Sequence, residues 1–336
     1  MYCSTPFRRF HIHVEGDVNL CFGHTWTSRG VGNILREDPL AIWRGPAATE
    51  FRQSILDKSF RYCTNCRCPE LLDSADAPSS LDLSYIDCLS LAYDYNCNIW
   101  CPSCRRERVK SSPLAAAIHA RILSTKLLTV VKTISCNGSG DPLASSYFHD
   151  LIAKLPSLDC HPELGLVLCT NGLLLTQRRL ETILAVGKPV RGIEISVDAA
   201  REETYNTNRR GGSWDVLLKN LTYLASTTIP LRLNFVVQAN NFEEMPEFVE
   251  LASRFRVGYI RFDALTDWGA YDPGELKLRS VHVPFHPQHE RFLKVLQHPL
   301  LKDERVHMAK LSDDYFSTLD PLATIRRRND KERDHG

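Results

Sequence analysis

The chain has 336 residues, enough for one large domain and a small one. Hydrophobic residues make up 43% and charged residues 24%, which excludes a disordered or fibrous chain. The formal net charge is +1, so electrostatics make no case for nucleic acid or an anionic membrane as partner, and no run is apolar and long enough to be a membrane-spanning helix.

The start lacks the pattern of a secretory signal, so the cytoplasm is the expected location. In a reducing compartment, twelve cysteines are expected to bind metal more than to pair as disulfides.

Residues 1–78 read as a small cysteine-rich α+β unit. Residues 7–20 have the pattern of a hairpin, with His11-Ile12-His13-Val14 alternating, Glu15-Gly16-Asp17 as the turn and Val18 to Cys21 returning. A second turn is expected at Gly30-Val31-Gly32-Asn33. Asp38 before Pro39 has the pattern of a helix N-cap, with Leu40, Ile42 and Trp43 on the apolar side. A further amphipathic helix is expected over 47–56, burying Phe51, Ile55 and Leu56. A segment this small buries little core and is expected to need a staple. Cys3, Cys21, Cys63, Cys66 and Cys68 supply one, as four ligands out of five. Structural zinc fits that composition as well as an iron–sulfur cluster does. His11, His13 and His24 are read as surface or core-edge residues.

Residues 71–80 are small, polar and proline-bearing, and read as a linker. Beyond them the pattern alternates between strands and helices. Strands are expected at 86–93, 127–136, 164–169, 191–197, 231–237 and 259–264. Helices are expected at 113–123, 177–186, 214–225 and 243–255, with a final one over 284–296. The fold class is therefore α/β: an incomplete parallel barrel of about six βα units over 79–285. Residues 286–336 form the remainder, closing on a charged, frayed tail at 325–336. In such arrays functional residues sit on loops at the carboxyl ends of the strands.

The first of those loops carries Cys97, Cys101 and Cys104, spaced C-x-x-x-C-x-x-C. A closed zinc site takes four ligands and a cubane cluster usually four thiolates, so a group of three suggests a cluster with one iron open. On spacing alone, half of a zinc site completed from a distance fits equally well. Gly138-Ser139-Gly140-Asp141-Pro142 follows the second strand, Thr170-Asn171-Gly172 the third and Ser196-Val197-Asp198 the fourth. Cys88, Cys136, Cys160 and Cys169 stand alone and read as small buried hydrophobes.

These segments, in this order behind the cysteine triplet, resemble the radical SAM enzymes over about residues 82–270. Residues 196–212 and 234–241 are also similar to that family. The first segment resembles the SPASM domain, an auxiliary-cluster module, through Cys3, Gly16-Asp17-Val18 with Cys21, residues 31–34, Ile42-Trp43 and residues 63–69. SPASM normally follows the barrel; here it precedes it, as in a rearranged gene product or a piece of a longer enzyme.

The resemblance implies that Cys97, Cys101 and Cys104 hold a [4Fe–4S] cluster whose fourth iron binds S-adenosylmethionine. It implies reductive cleavage to a 5′-deoxyadenosyl radical that takes hydrogen from a substrate, with an electron donor such as flavodoxin or ferredoxin. Gly138, Ser139, Gly140 and Asp141 would meet the methionine amino group, Ser196 and Asp198 the ribose or methionine end, Arg210 the methionine carboxylate and Gln238 the ribose or adenine. Trp100 is expected to keep water from the cluster; Ser103 stands where the family often has an aromatic. The amino-terminal set would hold a second cluster, [4Fe–4S] or [2Fe–2S], with zinc still open. The implied substrate is a peptide or protein side chain; a small or sugar-linked metabolite is the alternative, and a zinc-stabilised binding module the non-enzymatic one.

Overall fold

The computed structural model describes residues 2–21, 27, 29–63, 83–137, 139–266, 268–308 and 311. The expected linker at 71–80 and tail at 325–336 lie outside them, as do His24, Cys66, Cys68 and Gly138.

Six parallel strands follow one another across a sheet: β4 (Ile86–Leu91), β5 (Val131–Cys136), β6 (Gly165–Thr170), β7 (Val190–Ser196), β8 (Leu231–Val237) and β9 (Tyr259–Ala264). Strand β8 shows how sequence sets the two faces. Leu231, Leu233, Phe235 and Val237 are buried, whereas Arg232, Asn234 and Val236 on alternate positions are less so, which is the period of two a pleated strand imposes. The apolar face meets the helices: Phe235 packs on Phe248 of α8 (Met245–Ser253) with ring centroids 4.9 Å apart. The polar face lines the concave side, as in an incomplete barrel.

Between these strands lie α3 (Ala115–Ser124), α4 (Ser146–Lys154), α5 (Gln177–Leu184), α6 (Glu202–Asn208) and α7 (Trp214–Ala225). The sequence reading missed α4 and α6. Ser145 caps α4 by accepting from the Phe148 N–H, and Glu244 stands in for a cap on α6 by accepting from the Ala200 and Arg201 N–H groups. Downstream are α9 (Pro273–Arg279) and α10 (His289–Leu296), the latter starting five residues later than the expected 284. An unexpected strand, β10 (Val306–Met308), adds in parallel to β9.

The amino-terminal segment joins the other edge. β1 (Arg9–Ile12) pairs in parallel with β4, with His11 opposite Ser90. β2 (Asp17–Asn19) returns antiparallel, and β3 (Gly32–Asn33) pairs with it where a turn was expected. Asp38 caps α1 (Pro39–Arg44) by accepting from the Leu40 and Ala41 N–H groups, and α2 (Pro46–Leu56) follows. Phe10, Ile12, Val18, Trp43 and Phe51 belong to the same continuous core as the barrel residues. A segment too small for a core of its own has thus borrowed one by extending the sheet. Among the described residues no helix is long and apolar enough to cross a membrane.

Candidate functional site

Because β4 to β8 are parallel, the loops that follow them share one edge of the sheet. The cysteine loop is closed on itself by the Cys104 and Arg105 N–H groups, which both donate to the Cys101 carbonyl at 3.0 Å. Cys101 is buried, Cys97 half-buried and Cys104 exposed, and none is in a disulfide. Burial pushes the thiols of Cys97, to about 11, and Cys101 upward.

The segment after β5 interlocks with this loop. The Asp141 N–H donates to the Asn96 carbonyl at 2.8 Å, and the Asn96 side chain donates to the Ala144 carbonyl at 2.9 Å. A Cβ on Gly140 would stand 2.3 Å from the Asn96 oxygen. The glycine at 140 is therefore required by the close approach of the two loops. Ser139 donates to the Ala92 carbonyl at 3.2 Å. Asp141, 3% exposed, gathers three donors: Thr170 Oγ1 at 2.7 Å, the Asn171 N–H at 2.8 Å and the Leu143 N–H at 2.9 Å. Burial pushes its pKa up, against the pull of those donors. Thr170-Asn171-Gly172 is thereby tied to the loop after β5, and the Asn171 amide reaches Asn98 Oδ1 at 2.8 Å and Cys97 Sγ at 3.8 Å.

Asp198 is 1% exposed and has a positive φ of 60°. One carboxylate oxygen accepts from the Val236 N–H at 2.7 Å and the other pairs with Arg209 at 2.7 Å. Both oxygens are thus engaged within the protein, and Asp198 locks the end of β7 to β8. Burial raises its pKa and Arg209 lowers it. Of the two adjacent arginines, Arg209 turns inward, with Nη1 3.5 Å from Cys101 Sγ. Arg210 is exposed and meets the cysteine loop through its backbone, its carbonyl accepting from the Trp100 N–H at 3.0 Å. Burial opposes charge on Arg209, but Asp198 and Cys101 outweigh it and hold its pKa above the ordinary value. Trp100 packs against Gly211, whose φ is +87° and where a Cβ would stand 2.5 Å from the indole ring.

Ser196 lies on the concave face at the end of β7, opposite Asn234 of β8. Gln238 continues that face and is 1% exposed, and its side-chain carbonyl oxygen is buried without a partner among the described residues. Arg105 and Arg209 were not among the residues singled out from sequence, and Asn171 was noted only within Thr170-Asn171-Gly172, without a role at the cysteines. His11 was read as an edge residue but is buried, with Nδ1 2.8 Å from Ser90 Oγ. Cys88 and Cys169, read as buried hydrophobes, belong instead to the polar face, where Cys169 contacts Ser135 Oγ at 3.8 Å and Glu194 Oε2 at 3.6 Å.

The second cysteine set is elsewhere. Cys3 precedes β1, and Cys21 follows the antiparallel β2, so both lie at the amino end of the β4 edge. Cys63 packs with Cys3 among Tyr2, Phe7 and Ile55. A strand of six residues spans about 20 Å, which sets the scale separating this set from the triplet. A cavity of about 750 Å³ opens at the same end, lined by Arg9, Cys88, Lys132 and Arg191 among others.

The residues fit an open cluster with an organic ligand. Three thiols share one loop, and a buried, unpartnered Gln238 oxygen suits a hydroxyl or amine donor. Among the described residues no three His, Cys, Asp or Glu side chains converge closely enough to hold a single metal ion.

Comparison with known proteins agrees on the class. The radical SAM superfamily model matches residues 97–252, and the iron–sulfur cluster-binding domain SPASM matches residues 3–69. The chain is 29% identical over 160 residues to the AdoMet-dependent heme synthase of Methanosarcina barkeri, covering 46% of this chain and 44% of that one. It is 26% identical over 237 residues to the mycofactocin maturase MftC of Mycobacterium tuberculosis, covering 70% of this chain and 56% of that one. The chain thus spans about half the length of the curated relatives it matches. Among solved structures, SuiB of Streptococcus suis bound to precursor peptide SuiA is similar at 16% identity and a TM-score of 0.43, over 70% of this chain and 56% of that one.

Proposed function

We propose, for a chain that belongs to the radical SAM superfamily and carries a SPASM segment ahead of its barrel, that it modifies a peptide or protein side chain by hydrogen abstraction. The family's cofactors are a [4Fe–4S] cluster and S-adenosylmethionine, with an auxiliary iron–sulfur cluster in SPASM. The observation that carries the radical chemistry of this reading is the cysteine triplet at the carboxyl end of β4, clasped by the loops after β5, β6 and α6.

Bound there, the group supplies one-electron cleavage of the sulfonium and hence a hydrogen-abstracting radical. Cys97, Cys101 and Cys104 would hold the cluster. Asp141 keeps the loops after β5 and β6 in register, and Asp198 does so for β7 and β8. Ser139 and Gln238 are the polar groups we assign to the methionine and nucleoside ends, with Ser196 beside them; Gly138, outside the described residues, joins the first. Arg210, whose side chain is exposed, is assigned to the methionine carboxylate. The four-of-five ligand set for the auxiliary site remains our assignment, with Cys66 and Cys68 completing Cys3, Cys21 and Cys63. We place the protein in the cytoplasm with a flavodoxin or ferredoxin as donor, since thiolate-held clusters persist in reducing surroundings.

The peptide reading rests on the mycofactocin maturase relative, whose match covers the larger share of this chain. Modification of a small metabolite is the second reading, favoured by the heme synthase relative. Incubation with deuterated candidate substrates separates them. Deuterium appearing in 5′-deoxyadenosine from a peptide and not from a metabolite is the expected result; the reverse would replace the first reading with the second.

A further inference from the structure

Each sulfur of the triplet meets one side-chain donor. Asn171 Nδ2 is 3.8 Å from Cys97 Sγ, Arg209 Nη1 is 3.5 Å from Cys101 Sγ, and Arg105 Nη2 is 3.3 Å from Cys104 Sγ. The three donors come from the end of β6, from the turn after α6 and from the cysteine loop itself, so no single piece of local chain geometry produces the pattern.

We infer that these three donors set the reduction potential of the triplet's cluster, and that Arg105 contributes most. The inference rests on the reading that Cys97, Cys101 and Cys104 hold a [4Fe–4S] cluster. The step concerned is reduction of that cluster by one electron, from a core charge of 2+ to 1+, with dithionite as the source in vitro. Hydrogen bonds and positive charge at the thiolates favour the more electron-rich state and raise the potential.

The ranking follows from charge. Arg105 donates otherwise to the carbonyls of Tyr95, at 2.7 Å, and Ser139. No carboxylate pairs with it among the described residues, and it is half-buried, so its charge is only partly screened from the sulfurs. Arg209 is ion-paired with Asp198 at 2.7 Å. At range the two charges cancel, leaving a directed hydrogen bond and a short-range dipole. Asn171 is neutral and its contact is the longest. Arg105 has a second consequence: through the Ser139 carbonyl it ties Cys104 to the glycine-rich segment after β5.

The test is a redox titration of the reconstituted full chain, followed by electron paramagnetic resonance. The relevant signal is the one lost when Cys97, Cys101 and Cys104 are all replaced by Ala. Arg105→Gln is expected to shift its midpoint most strongly to more negative potential. The double variant Asp198→Asn with Arg209→Gln, which leaves no unpaired buried charge, is expected to give a smaller negative shift, and Asn171→Ala the smallest. Arg105→Lys keeps the charge and is expected to stay near wild type. An unchanged midpoint in Arg105→Gln, with the signal intact, overturns the inference while leaving the cluster assignment standing. So does loss of the signal in Arg105→Gln but not in Arg105→Lys, since Arg105 would then build the site and not tune it. Absence of any triplet-dependent signal in the loaded wild type overturns the cluster assignment itself, and the inference with it.

Discussion

Cys101 and Cys3 are both buried thiols, at opposite ends of the neighbouring parallel strands β4 and β1, and their surroundings differ. Cys101 packs in the main core but also meets polar groups: Arg209, paired with Asp198, and the Arg210 carbonyl on the loop beside it. Cys3 packs in a separate small cluster with Tyr2, Phe7, Ile55 and Cys63. The first environment suits adjustment of a reactive group, because low-dielectric polar contacts act strongly on charge. The second suits a staple. On the function proposed above, the difference separates chemistry from support along one strand, with the triplet at its carboxyl end and the support at its amino end.

Five variants bear on that contrast. Replacing Cys97, Cys101 and Cys104 together by Ala is expected to remove one cluster's worth of iron and to reduce 5′-deoxyadenosine formation to background, as read by iron analysis and product chromatography. The amino-end cluster should survive. Next in size is Asp141→Ala, which strands the buried Thr170 hydroxyl and the N–H groups of Asn171 and Leu143. Each unsatisfied buried donor costs about 1–3 kcal/mol, so a loss of several kcal/mol is expected in urea unfolding, with Asp141→Asn milder. Gly140→Ala forces a methyl against the Asn96 carbonyl. A cost of about 1–3 kcal/mol, with poorer cluster loading, is expected; unchanged unfolding and iron content would show that the two loops do not meet as described. The smallest effect on chemistry is expected from Cys63→Ala. It should weaken the amino-terminal segment in limited proteolysis yet leave cleavage of S-adenosylmethionine nearly intact. A collapse of cleavage there would erase the contrast between the two ends.

Local and periodic features were legible in the sequence. The Asp38–Pro39 cap, the alternation through β8 and the order of loop segments behind the triplet follow from short-range rules and appear in the structure. What escaped the sequence is non-local. Pairing of β1 with β4 joins residues about 80 positions apart, and no pattern in either strand announces the other. Gly32-Asn33 looked like a turn because glycine and asparagine favour turns, but the partner strand decided it. Which of Arg209 and Arg210 faces inward depends on the turn at Gly211 and on a counter-ion eleven residues upstream. Ser146–Lys154 was missed although Ser145 is a good cap, because the short helix lies in a stretch without a long apolar stripe.

Whether the triplet holds a cluster able to cleave S-adenosylmethionine is read out by incubating the anaerobically reconstituted full chain with S-adenosylmethionine and dithionite and measuring 5′-deoxyadenosine. Formation that requires both the reductant and the three cysteines is the expected result. A wild-type chain carrying its full complement of iron that forms none would contradict the account.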